Sequence, residues 1–111
     1  MGMEKLETIE QFEKVMKAGK RFLFIKHSLT CPISQAAFRE YEKFVSNHPE
    51  VDTYYLYVQE ARPLSNYIAE TFGVKHESPQ ALLFENGTVV WHTSHWNITY
   101  DALKEQVIQA S

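Results

Sequence analysis

The sequence predicts an α/β protein: a mixed four-stranded sheet with helices on both faces, a three-layer α/β/α sandwich. Three observations predict it. Segments with helical and with strand periodicity alternate along the chain. The first two strand segments are separated by a helix, so a right-handed crossover makes them parallel neighbours. The last two flank Asn86-Gly87, the strongest short-range hairpin signal. At 111 residues the chain fits one domain, read as residues 1–111.

The order is α-β-α-β-α-β-β-α. Thr8 with Gln11 three residues later forms a capping-box pattern, and Ile9, Phe12, Val15 and Met16 then recur at helical spacing up to Gly19. Phe22–Ile25 is a short continuous apolar run, as expected for a strand buried on both faces. Pro32 opens the second helix, where its missing N–H is harmless, and Asn47-His48-Pro49 ends it. Thr53–Val58 is β-branched and aromatic, a strand composition. Pro63 starts a third helix that Gly73 stops. Ala81–Phe84 and Thr88–His92 form the hairpin, and Thr99 caps a last helix carrying Ala102, Leu103, Val107 and Ile108.

Composition removes several functional classes. The chain is 44% apolar and 23% charged, which excludes a disordered or low-complexity chain. A net charge of -3 argues against a broad nucleic-acid footprint. The longest strictly apolar run, Tyr54–Val58, is far short of the ~18 residues of a membrane span, so no membrane partner is expected. The charged start lacks the apolar centre of a secretion signal, and a lone thiol suits a reducing, cytoplasmic location. One cysteine, Cys31, can form neither an internal disulfide nor a multi-thiolate metal site.

Cys31 is the informative residue. A buried strand runs through Lys26 and His27 into a short loop, and Cys31 stands where the chain turns helical, directly before Pro32. The first N–H groups of a helix lack internal partners and carry partial positive charge. A thiolate there can accept them and gain stability, which favours the nucleophilic form. A lone cysteine is also commonly a small buried core residue. The helix-start context favours the reactive thiol.

The segments Thr30-Cys31-Pro32-Ile33-Ser34, Phe72-Gly73-Val74 and Ser78-Pro79-Gln80-Ala81-Leu82-Leu83-Phe84-Glu85-Asn86-Gly87 occur in the order found in the thioredoxin superfamily, which the chain resembles over nearly its whole length. Within it, Thr-Cys-Pro-Ile-Ser and the closing Trp91-His92…His95-Trp96 resemble the small monothiol bacilliredoxins of low-GC Gram-positive bacteria, which use bacillithiol. The resemblance implies a thioredoxin-like fold, a cis Ser78–Pro79 bond beside Cys31, and a Ser78 backbone free to pair with a thiol-bearing client. It also implies a thiol-disulfide oxidoreductase. Dithiol members carry a second cysteine where this chain has Ser34, so release of a mixed disulfide needs an outside thiol. The expected activity is removal of a small thiol, by resemblance bacillithiol, from S-thiolated client proteins through Cys31. The small thiol acts as co-substrate, with no tightly bound cofactor or metal, and a monomer is expected. Thr30, Pro32, Ile33, Ser34, Ser78 and Pro79 are the candidate substrate-binding residues. Ser34 is expected to donate a hydrogen bond to the Cys31 thiolate, and Thr30 either does likewise or shapes the loop.

Two other readings compete. A non-catalytic thioredoxin-like module would hold a partner segment on the Cys31/Pro79 surface. An iron–sulfur carrier ranks last, because Cys31-Pro32-Ile33-Ser34 lacks the Gly-Phe pair of monothiol glutaredoxins. Lys26 and His27 alternate along their strand, so they should point to opposite faces. His92 and His95 lack the further ligands that a metal site needs. Trp91, Trp96, Tyr54, Tyr55, Tyr57 and Tyr67 are assigned to packing, since no basic stripe accompanies them as a nucleic-acid platform would require.

Overall fold

A computed structural model describes residues 3–19 and 21–109. The elements are β1 (Glu4–Lys5), α1 (Ile9–Ala18), β2 (Arg21–His27), α2 (Pro32–Asn47), β3 (Thr53–Tyr57), α3 (Arg62–Phe72), β4 (Gln80–Glu85), β5 (Thr88–Ser94) and α4 (Tyr100–Leu103). A 3₁₀ turn, His95–Asn97, joins β5 to α4, and the chain beyond α4 continues as a π-helix over Lys104–Gln109.

The sheet has five strands in the order β1-β3-β2-β4-β5. This corrects the four-strand expectation. The added strand is two residues long, Glu4-Lys5, and pairs in parallel with Tyr54 and Tyr55. It has neither periodicity nor β-propensity to announce it; pairing with a neighbour makes it a strand. β2 runs parallel to β3 and antiparallel to β4, as the crossover and the hairpin require.

Local chemistry explains the boundaries. Thr8 Oγ1 accepts the Gln11 N–H at 3.1 Å, and Gln11 Oε1 accepts the Thr8 N–H at 3.2 Å, a complete capping box. Gly73 ends α3 in the left-handed region at φ 65. Asn86 (φ 51) and Gly87 (φ 83) are both left-handed, which is the two-residue I′ hairpin geometry between paired Glu85 and Thr88.

β2 is buried over Phe22–His27 because both its faces are covered. Phe22, Phe24, Leu82 and Phe84 meet α1 and α3, with Phe12 set edge-on against Phe22, Phe24, Phe72 and Phe84. Leu23, Ile25, Ala81 and Leu83 meet α2, α4 and the π-helical turns. Tyr41, fully buried on α2, places its hydroxyl 3.1 Å from Leu23 O and 2.8 Å from Tyr54 O, tying the helix to two strands.

Candidate active site

Register places the candidate residues at one end of the sheet. Lys26, near the end of β2, pairs with Gln80, the first residue of β4. The chain leaving β2 leads to Cys31, and the chain entering β4 comes through Ser78–Pro79. Thr30, Cys31, Pro32, Ile33 and Ser34 therefore form one β2–α2 junction, and Ser78 and Pro79 enter the neighbouring strand at the same sheet edge.

Cys31 is the N-cap of α2, with extended backbone (φ -101, ψ 119) and Pro32 in the first turn. Its carbonyl accepts the Gln35 N–H at 3.0 Å. The thiol is free and half-buried. Its sulfur makes no capping hydrogen bond, contrary to the expected amide contacts. A neutral thiol is a weak acceptor, so the uncharged form gains little by turning toward the amides.

Ser34 departs from expectation in a second way. Its side chain is fully buried; Oγ accepts the Ser28 N–H at 2.8 Å and lies 2.8 Å from His27 Nδ1. The hydroxyl expected to serve Cys31 is thus engaged with the strand end and loop. The reason is position: Ser34 lies in the first turn of α2, on the face turned to the sheet. His27 is itself buried and stacks on Phe38 at 4.3 Å between ring centres. Burial holds its imidazole below the ordinary value, partly offset by the Ser34 contact.

The loop bearing Thr30 is held from outside by Gln59, a residue that no sequence pattern marked. Gln59 Oε1 accepts the Leu29 N–H at 3.0 Å, and Nε2 donates to Ser28 Oγ at 3.0 Å and Thr30 Oγ1 at 3.4 Å. Gln35 Nε2 adds a bond to Leu29 O at 3.3 Å. Thr30 and Pro32 are exposed, and Ile33 is half-buried. The Ser78–Pro79 bond is cis, as the resemblance implied. Pro79 is buried, and its carbonyl accepts the His95 N–H at 3.1 Å.

Lys26 and His27 point to opposite faces, as alternation requires, yet both are buried. Lys26 faces α3. Its Nζ donates to Ser65 O at 3.0 Å and lies 3.3 Å from His76 Nδ1, with no carboxylate partner among the described residues. Burial pushes its pKa down to about 8. Ser78 Oγ and Gln80 Oε1 are buried without a hydrogen-bond partner among the described residues. His92 and His95 are exposed. Trp96 corrects the packing assignment: it is 67% exposed, because the 3₁₀ turn after β5 carries it off the sheet.

The sequence model of the monothiol bacilliredoxin BrxC matches residues 4–103. The chain belongs to the monothiol bacilliredoxin family. A solved thioredoxin-fold structure, described as a proposed oxidoreductase, is 46% identical, with a TM-score of 0.87 over 93% of this chain and 91% of that one. Thioredoxin from Fasciola hepatica is 18% identical (TM-score 0.78, covering 98% and 100% of the two chains). Mitochondrial thioredoxin 3 from Saccharomyces cerevisiae is 16% identical (TM-score 0.77, covering 98% and 95%). These two show the shared fold alone. Family membership and fold together make this a bacilliredoxin of thioredoxin architecture, a setting for thiol redox chemistry. No described helix is long and apolar enough to cross a membrane.

Proposed function

We propose that this bacilliredoxin removes a low-molecular-weight thiol, bacillithiol by family resemblance, from protein mixed disulfides through Cys31. One observation carries the reading: the chain has a single thiol, half-exposed at the start of α2, and the position of a second sulfur is filled by a Ser34 hydroxyl engaged elsewhere. Cys31 as thiolate attacks the small-thiol sulfur of the mixed disulfide. A bond forms between Cys31 and that sulfur, the protein–sulfur bond breaks, and the client cysteine leaves as a thiolate that takes a proton from water. A second small thiol, as thiolate, then attacks the adduct, giving the small-molecule disulfide and free Cys31. The net change is one mixed disulfide reduced and one small thiol pair oxidised.

Thr30, Pro32, Ile33 and the backbone of Ser78 form the surface on which the client lies, over the buried Pro79, and Ser34 shapes the junction through His27 and Ser28. The clients are S-thiolated proteins of a reducing, cytoplasmic compartment under oxidative stress. The chain works as one domain, residues 1–111, and as a monomer.

Intact-mass analysis after incubation with a bacillithiolated protein tests this. The wild type gains the mass of the small thiol, and Cys31→Ser gains none. An unmodified wild type, or an adduct that survives Cys31→Ser, overturns the assignment. A non-catalytic binding module would instead show Cys31 alkylating with iodoacetamide only at the pH where ordinary thiols react.

A further inference from the structure

We propose that Lys26 is a positioning residue: its buried ammonium pins residues 75–79, the segment that ends at Pro79, and so fixes the edge against which the client meets Cys31. This rests on the exchange reading above.

The segment needs an anchor. Among the described residues, no backbone–backbone hydrogen bond involves residues 75–78; the nearest are Val74 N–H to Ala69 O and His95 N–H to Pro79 O. Two buried side chains from facing strand positions reach it instead. Lys26 on β2 meets His76, and Gln80 on β4 donates through Nε2 to Lys75 O at 3.0 Å. Lys26 also binds Ser65 O on α3, and Ser65 Oγ lies 3.1 Å from His76 Nδ1. The strand that delivers Cys31 is therefore the strand that locks the Pro79 segment to α3.

The chemistry fixes the protonation. An ammonium only donates, so His76 Nδ1 must be bare and the imidazole proton must sit on Nε2. Adding a proton at Nδ1 removes the acceptor and puts a second cation 3.3 Å from Nζ. Burial, then Lys26 and Arg62, hold the His76 imidazole below its ordinary 6.5, against an opposing pull from Glu77. The charged or polar groups facing the latch are thus Arg62 and Ser65 from α3, Glu77 from the segment itself and Gln80 from β4. Acid opens the latch; neutral pH closes it.

The test compares the wild type, Lys26→Met and His76→Gln. For each, the exchange rate with a bacillithiolated peptide is divided by the rate of Cys31 alkylation with iodoacetamide, across about pH 5 to 7, where imidazoles titrate and Lys26, whose pKa is about 8, keeps its proton. Alkylation needs only the thiol, so the ratio isolates the Pro79 edge and cancels titration at His27. Lys26→Met lowers the ratio by about tenfold to a hundredfold, the scale of an ångström misplacement. His76→Gln still offers an acceptor, so it keeps the wild-type ratio near neutrality. The wild-type ratio falls with a midpoint below 6.5, and His76→Gln is flat there. An unchanged ratio in Lys26→Met, or an acid fall that persists in His76→Gln, overturns the proposal. Should Lys26→Met not fold, the His76→Gln profile alone decides, since His76 lies at the surface. A wild type that takes no adduct from the peptide overturns the exchange reading and this inference together; a wild type that exchanges while the variants match it overturns this inference alone.

Discussion

At the scale of single residues, Lys26 carries a stability signature. The unfolded chain holds its proton to about pH 10.5, the folded chain only to about 8. Between those values the unfolded state binds more protons, so this group's contribution to stability rises with pH. Urea unfolding of the wild type and Lys26→Met should show the difference moving in favour of the wild type, by on the order of 3 kcal/mol in all, as pH climbs through that window. A difference that stays constant would mean that Lys26 ionises as freely folded as unfolded. Ser34 gives a second prediction. Ser34→Ala leaves the Ser28 N–H without its acceptor and should cost about 1–3 kcal/mol in the same assay. Neither role was legible in the sequence, although both residues drew attention there. Lys26 meets Ser65 and His76 across 39 and 50 residues of chain, and Ser34 looked like a partner for Cys31 until the fold turned it toward His27.

At the scale of elements, the legible features were those whose physics is local. The Thr8 capping box, the proline-initiated α2 and α3 and the Asn86-Gly87 turn need only a few neighbouring residues to form, and each is present as read. Thr8→Ala should therefore cost about 1 kcal/mol in thermal or urea unfolding. Gly73→Ala should cost about 1–2 kcal/mol. Nothing lies within 4 Å of an added Cβ there, so the cost is the left-handed backbone alone. β1 was not legible, because two residues beside Tyr54 and Tyr55 become a strand only once β3 exists. The π-helical winding of Lys104–Gln109 is equally silent in the sequence, whose apolar spacing fits ordinary helix well.

At the scale of the whole molecule, two apolar layers on either face of one sheet hold the site. Phe12 centres the α1/α3 layer, touching five aromatic rings at centroid distances of 5.5–6.3 Å. Phe12→Ala should remove about 3–5 kcal/mol of stability, measured by urea unfolding at neutral pH. The layered class followed from the alternation of elements, and the family from Thr30–Ser34 and the Ser78–Gly87 stretch, because motif order survives without knowledge of contacts. The contacts of Gln59 with the Thr30 loop and of Lys26 with His76 belong to the folded whole. Trp96 gives that whole one more property. The chain has two tryptophans: Trp91 packs against the α2 side, while Trp96 stands in solvent on the turn whose His95 amide holds the Pro79 carbonyl. An indole so placed is an intrinsic fluorophore, and its emission follows the solvent exposure of the turn that meets the Pro79 carbonyl, without any added dye.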